Sequence, residues 1–152
     1  MAIREIGNWL RWRKDWMSRP IVIVLEDEPL CIAVFRKTLE LAGYECAVAV
    51  TEQQALEHAG KLGFDVGAVI ADLFLPTCRG TDVALKLAAI RPDLAFLFVS
   101  GTPLSAWPEA DVRKLEQLPL GSFGFLEKPF RPHALLSKLE VLMGRHAFEQ
   151  NA

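Results

Sequence analysis

The chain reads as an α/β protein built on a doubly wound, five-stranded parallel sheet. Two observations predict this. Five short apolar runs, at 21–25, 44–48, 66–71, 94–99 and 122–126, alternate with segments of helical periodicity. The first, third and fourth runs are almost wholly apolar, as strands covered on both faces must be. At 152 residues and 51% hydrophobic, the chain is long enough to bury one substantial core.

Each element has its own warrant. The helix over 29–42 carries a stripe of Cys31, Val34, Phe35, Thr38, Leu39 and Ala42, and Gly43 ends it as a C′ glycine. Glu28 reads as a first-turn acid favoured by the helix dipole. Leu30, Ile32 and Leu41 lie off the stripe, so something is expected to cover that face. A capping-box pattern at Thr51-Glu52-Gln53-Gln54 opens the second helix. Two more helices are expected over 82–89 and 108–118. A last one spans 132–144, with Leu135, Leu136, Leu139, Leu142 and Met143 facing inward.

Pro20 separates an N-terminal segment, 1–19, from the body at 20–145, and 146–152 reads as a tail. The net charge is −2, but residues 1–19 carry +3, which leaves −5 on the remainder. An acidic body argues against nucleic-acid binding. The segment's Ile3, Ile6, Trp9, Leu10, Trp16 and Met17 form a helical stripe with basic residues between them. It is read as an extra helix that packs on the domain or forms a homodimer. Disorder ranks second, and a membrane surface last. No apolar stretch is long enough to span a bilayer, and the charged start does not read as a secretory signal. Cys31, Cys46 and Cys78 have no metal-type spacing and suit reduced thiols in the cytoplasm. His58, His133 and His146 lack partner spacing and are assigned no chemistry.

In such sheets, ligands sit beyond the carboxyl ends of the strands. The first strand ends in Glu26 and Asp27, the third in Asp72, and the fourth in Ser100. The fifth is expected to end at Phe125, just before Lys128 and Pro129. Clustered carboxylates repel one another and resist desolvation, so a compensating cation is expected. Oxygen ligands from two strand ends suit Mg²⁺, shared with a phosphate. A carboxylate there can attack phosphorus, while a hydroxyl and an ammonium hold the phosphoryl oxygens.

"VLEDEP", "ADLFLP", "VSG" and "FLEKPF", in this order at consecutive strand ends, resemble the receiver domain of two-component response regulators over about residues 20–145. The resemblance implies the CheY-like, flavodoxin-like strand order 2-1-3-4-5. It implies that Asp72 is the phosphoacceptor, served by a histidine kinase or a histidine phosphotransfer protein. It also implies Mg²⁺ (or Mn²⁺) bound by Asp27, Asp72 and the Phe74 backbone carbonyl, with Glu26 acting through water. Lys128 and Ser100 would hold the phosphoryl group, and the Lys128–Pro129 peptide would be cis. Ser100 and Phe125 would form the switch, with Phe125, which replaces a common tyrosine, relying on packing alone.

Phe74 and Thr102 occupy the positions that tune the phosphorylated lifetime in this family. A bulky Phe74 is expected to hinder water, so Phe74→Asn should speed dephosphorylation. The stretch between Ser100 and Lys128 is longer than usual and contains Pro103, Trp107, Pro108, Pro119 and Gly121, so the fourth helix is expected to be short or displaced, with irregular chain at both ends. Output is expected through contact with an unknown downstream protein, since only eight residues follow Gly144. The rival readings are a phosphorylation-independent scaffold, a C-terminal receiver of a hybrid kinase, and an aspartyl-phosphate hydrolase. The last lacks the second acid it needs, because Phe74 stands in its place.

Overall fold

A computed structural model describes residues 20–151, with side chains through 144. The segment 1–19, and with it the expected extra helix, lies outside the described residues. The order is β1 (Ile21–Leu25), α1 (Pro29–Leu41), β2 (Glu45–Ala49), α2 (Glu52–Leu62), β3 (Val66–Asp72), α3 (Gly80–Ile90), β4 (Ala95–Ser100), α4 (Glu109–Leu115), β5 (Phe123–Glu127) and α5 (Pro132–Asn151). All strand pairs are parallel, in the order β2-β1-β3-β4-β5. The doubly wound sheet and its strand order are therefore as expected.

Strand alternation sends side chains to opposite faces and so builds two cores. Ile23, Leu25, Val69, Ala71, Phe96 and Phe98 pack toward α2 and α3, against Ala55, Val83 and Leu87. Val22, Val24, Ala68, Ile70, Leu97 and Val99 pack toward α1 and α5, against Phe35, Leu39, Leu135 and Leu139. Burial on both faces explains why β1, β3 and β4 are continuous apolar runs rather than alternating ones.

Local signals account for most boundaries. Gly43, at φ 89°, is the C′ residue of α1, with Tyr44 N–H on the Leu39 carbonyl and Gly43 N–H on that of Glu40. This is the Schellman pattern. At α2 the Thr51 hydroxyl accepts from Gln54 N–H, and the Gln54 side-chain carbonyl accepts from Val50 N–H. The box therefore closes one residue earlier than the usual form.

Several expectations need correction. Val34 is exposed, and Ile32 is half-buried, because the buried face of α1 narrows to Phe35, Thr38 and Leu39. Glu28 is the N-cap, not a first-turn acid, and its carboxylate accepts from Leu30 and Cys31 N–H. A hydrogen bond from the Cys31 side chain, and then those from the backbone N–H groups, lower its pKa. Strand β5 runs on to Glu127, so Phe125 sits mid-strand. Helix α3 begins earlier than expected, at Gly80. Helix α5 continues to Asn151, past its expected end at 144.

Helix α4 is only seven residues long. A 3₁₀ turn, Leu104–Ala106, precedes it, and irregular chain through Gly121 follows. The expected span 108–118 is thus too long at its end, while the expectation of a short helix with irregular chain at both ends holds.

Candidate functional site

The carboxyl ends of β1, β3, β4 and β5 bring the anticipated residues to one edge of the sheet. Lys128 Nζ lies 2.8 Å from Glu26 Oε2 and 3.3 Å from Asp72 Oδ2. Lys128 N–H also donates to the Ser100 carbonyl at 2.9 Å, which ties the lysine's backbone to the end of β4. The Lys128–Pro129 peptide is cis.

Glu26 is 1% exposed, and both its carboxylate oxygens accept hydrogen bonds. Oε1 accepts from Asp27 and Glu28 N–H, each at 3.1 Å, while Oε2 takes the ammonium. Burial works against the charged lysine. The Glu26 hydrogen bond and the charges of Asp72 and Glu26 outweigh it, and the Lys128 pKa rises above the ordinary lysine value. Lys128 is thus a permanent cation at physiological pH.

Glu26, Asp27 and Asp72 each offer an oxygen within 4.8 Å of the others. Asp27 is exposed, and its carboxylate makes no ion pair with the described residues. One lysine facing three carboxylates leaves a local excess of negative charge. An all-oxygen set with an exposed carboxylate at its rim fits a hard divalent cation that keeps several waters.

Ser100 is 4% exposed, and its hydroxyl accepts from Thr102 N–H at 3.0 Å. A cleft of about 210 Å³ opens beside it, lined in part by Thr102, Trp107 and Phe125. Phe125 is half-buried and already packs on Phe98 and Trp107, with ring centroids 6.1 and 5.3 Å away. Phe74 N–H donates to Asp72 Oδ1 at 3.3 Å, and Phe74 is 40% exposed.

The structure adds residues that the sequence reading passed over. Gly80 packs on the end of β3 so closely that a Cβ there would lie 2.1 Å from the Asp72 carbonyl oxygen. Trp107 lies in the long stretch between Ser100 and Lys128. It is 7% exposed, joins the core, and donates its indole N–H to the Thr102 carbonyl at 3.0 Å. Asp111, on α4, is 1% exposed and binds Arg79 and the Thr81 hydroxyl. A charge pattern on an amphipathic helix cannot reveal that one of its acids is buried. The three cysteines are free, and burial pushes each thiol pKa up, so none is primed as a thiolate. His58 bonds the Val48 carbonyl and serves the fold.

Residues 22–140 match the model of the response regulator receiver domain, and the chain belongs to that family. It is 30% identical over 130 residues to the sensor kinase CckA of Brucella abortus, covering 85% of this chain and 13% of that one. It is 29% identical over 126 residues to the phosphate regulon transcriptional regulatory protein PhoB of Pseudomonas aeruginosa, covering 82% and 52%. The chain thus spans about half, or far less, of these relatives. Among solved structures, a CheY-like receiver domain protein of Methanospirillum hungatei superposes with a TM-score of 0.74 at 21% identity, covering 87% of this chain and 99% of that one. That likeness speaks for the fold alone. Receiver domains are signalling modules of two-component systems rather than conventional enzymes, and they work with histidine kinases or phosphotransfer proteins. No helix among the described residues is long and apolar enough to cross a membrane.

Proposed function

We propose that the chain accepts a phosphoryl group on Asp72 from a histidine kinase or a histidine phosphotransfer protein, and signals through protein contact as a cytoplasmic response regulator. The observation that carries this reading is the cluster at the sheet edge. Three acid oxygens converge, and Lys128 bridges two of the carboxylates at 2.8 and 3.3 Å.

An Asp72 carboxylate oxygen attacks the phosphorus of a phosphohistidine. The P–N bond breaks, and the imidazole leaves and is protonated from solvent. Lys128 stays charged and neutralises the phosphoryl oxygens, a fixed cation needing no reorganisation at the moment of reaction. Asp27, Asp72 and the Phe74 carbonyl would hold Mg²⁺ or Mn²⁺ directly, and Glu26 would act through water. When bound, the ion supplies charge neutralisation to the transferring group. The Ser100 hydroxyl turns from its Thr102 bond to the phosphoryl group. Phe125 then follows into the cleft, its packing on Trp107 standing in for a hydroxyl contact. Thr102 and Phe74 flank the route of hydrolytic water. On this reading the domain catalyses only its own phosphorylation and dephosphorylation.

A second reading, a receiver that belongs to a hybrid kinase, is favoured by the 30% identity to a sensor kinase. The chemistry at Asp72 is the same in both.

Intact mass after incubation with Mg²⁺ and acetyl phosphate tests the proposal. The native chain should gain one phosphoryl group, and Asp72→Asn none. No gain from acetyl phosphate or from any kinase would leave the phosphorylation-independent scaffold.

A further inference from the structure

Phe74 does not stand alone beside Asp72. The Arg79 guanidinium lies over its ring, 4.3 Å from the centroid. The two residues also pair across a single antiparallel bridge that closes the β3–α3 loop. Arg79 is in turn gripped from the far side, where its Nη2 lies 2.8 Å from Asp111 Oδ2.

Asp111 is itself well fixed. It is 1% exposed, takes the Thr81 hydroxyl at 2.7 Å on its other oxygen, and has Lys114 at 3.8 Å. Lys114 also pairs with Asp82 at 2.9 Å, so α3 and α4 are joined through this cluster. A planar guanidinium can stack on an aromatic face and hold a carboxylate in its own plane at once. Arg79 lies over the ring and pairs with Asp111, and so couples an exposed ring to a buried carboxylate. Without it, a residue that is 40% exposed would be held less firmly.

We infer that Arg79 is a positioning residue for the stability of the aspartyl phosphate: anchored by Asp111, it holds the Phe74 ring in the path of hydrolytic water. The inference rests on the proposed lifetime role of Phe74. The step concerned is attack of a water oxygen on phosphorus. The P–O bond to Asp72 breaks, Asp72 leaves as a carboxylate, and the water's proton passes to solvent as inorganic phosphate forms. Arg79 touches none of the reacting atoms. Because Asp111 belongs to α4, a partner that shifts α4 also loosens the ring and alters the lifetime.

The test is a double-mutant cycle on dephosphorylation, read as the decay of phosphorylated protein by intact mass after removal of acetyl phosphate. Phe74→Ala alone should speed decay. Arg79→Gln alone should speed it roughly two- to fivefold, the range that corresponds to loss of one exposed cation–π contact. In the Phe74→Ala background, Arg79→Gln should add nothing. Asp111→Asn, near-isosteric and able to keep the Thr81 bond, should also speed decay only when Phe74 is present. The inference is overturned if Arg79→Gln leaves decay unchanged or slows it while Phe74→Ala speeds it. Equal acceleration in both backgrounds would overturn it too, since that is an effect of charge and not of the ring. If Phe74→Ala itself leaves decay unchanged, the lifetime role of Phe74 fails, and the inference with it.

Discussion

Lys128 and Glu26 show how much one pair decides at this site. Glu26 is buried at 1% exposure with its charge, and its cation comes from a residue 102 positions away. Removing one member of a buried pair leaves the other uncompensated, which costs far more than the pair itself contributes. Lys128→Ala should therefore destabilise the fold by about 3 kcal/mol, the low end for such pairs because the lysine is partly exposed. Adding Glu26→Gln to Lys128→Ala should recover part of the loss. Denaturant melts of the two single variants and the double variant measure this. The acids and the lysine were legible as a set, but the preference of Lys128 for Glu26 over Asp72 was not. It depends on a third dimension, in which β1 lies between β2 and β3.

At the scale of elements, the start of α3 matters most to the site. Gly80 N–H donates to the Leu73 carbonyl at 3.0 Å, and its Cα faces the Asp72 carbonyl with no room for a side chain. Gly80→Ala must push α3 away from β3 or distort the strand end that carries the acceptor. It should cost about 1–3 kcal/mol in stability, as overpacking against backbone does. Phosphorylation by acetyl phosphate should slow as well, and thermal unfolding together with the mass assay reads both. The periodicity of 82–89 announced the helix but not its first turn. Gly80 is a poor helix former by propensity, and only the approach to Asp72 explains it there. Helix α4 shows the opposite case: its prolines and Gly121 foretold a short helix within irregular chain. That Trp107 in that chain would join the core and line the Ser100 cleft could not be foretold, because nothing local marks a loop tryptophan as buried.

For the molecule as a whole, the excess of negative charge at the sheet edge is a stored cost that a cation can relieve. A ligand that binds the folded state alone stabilises it by mass action, about 2.7 kcal/mol at a hundred times its dissociation constant. Mg²⁺ should raise the melting temperature of the native chain. Asp27→Asn, which removes the exposed acid at the rim, should melt at nearly the same temperature with and without the ion. Thermal melts over a magnesium series check both. A shift of equal size in Asp27→Asn would place the cation elsewhere.

The sequence by itself determined the fold class, the strand order through its family motifs, and the residues at the strand ends. Those depend on apolar periodicity and on short-range motifs, both written locally along the chain. Only the tertiary structure decided what those residues touch. It put Lys128 on Glu26, lined the cleft with Trp107, set Gly80 against Asp72, and buried Asp111 where it holds Arg79 over Phe74. Each of these joins residues far apart in the chain or on different elements, and their partners are chosen by how helices pack on a twisted sheet. That choice leaves no periodic trace, so the chemistry could be read from the sequence while the devices that position it could not.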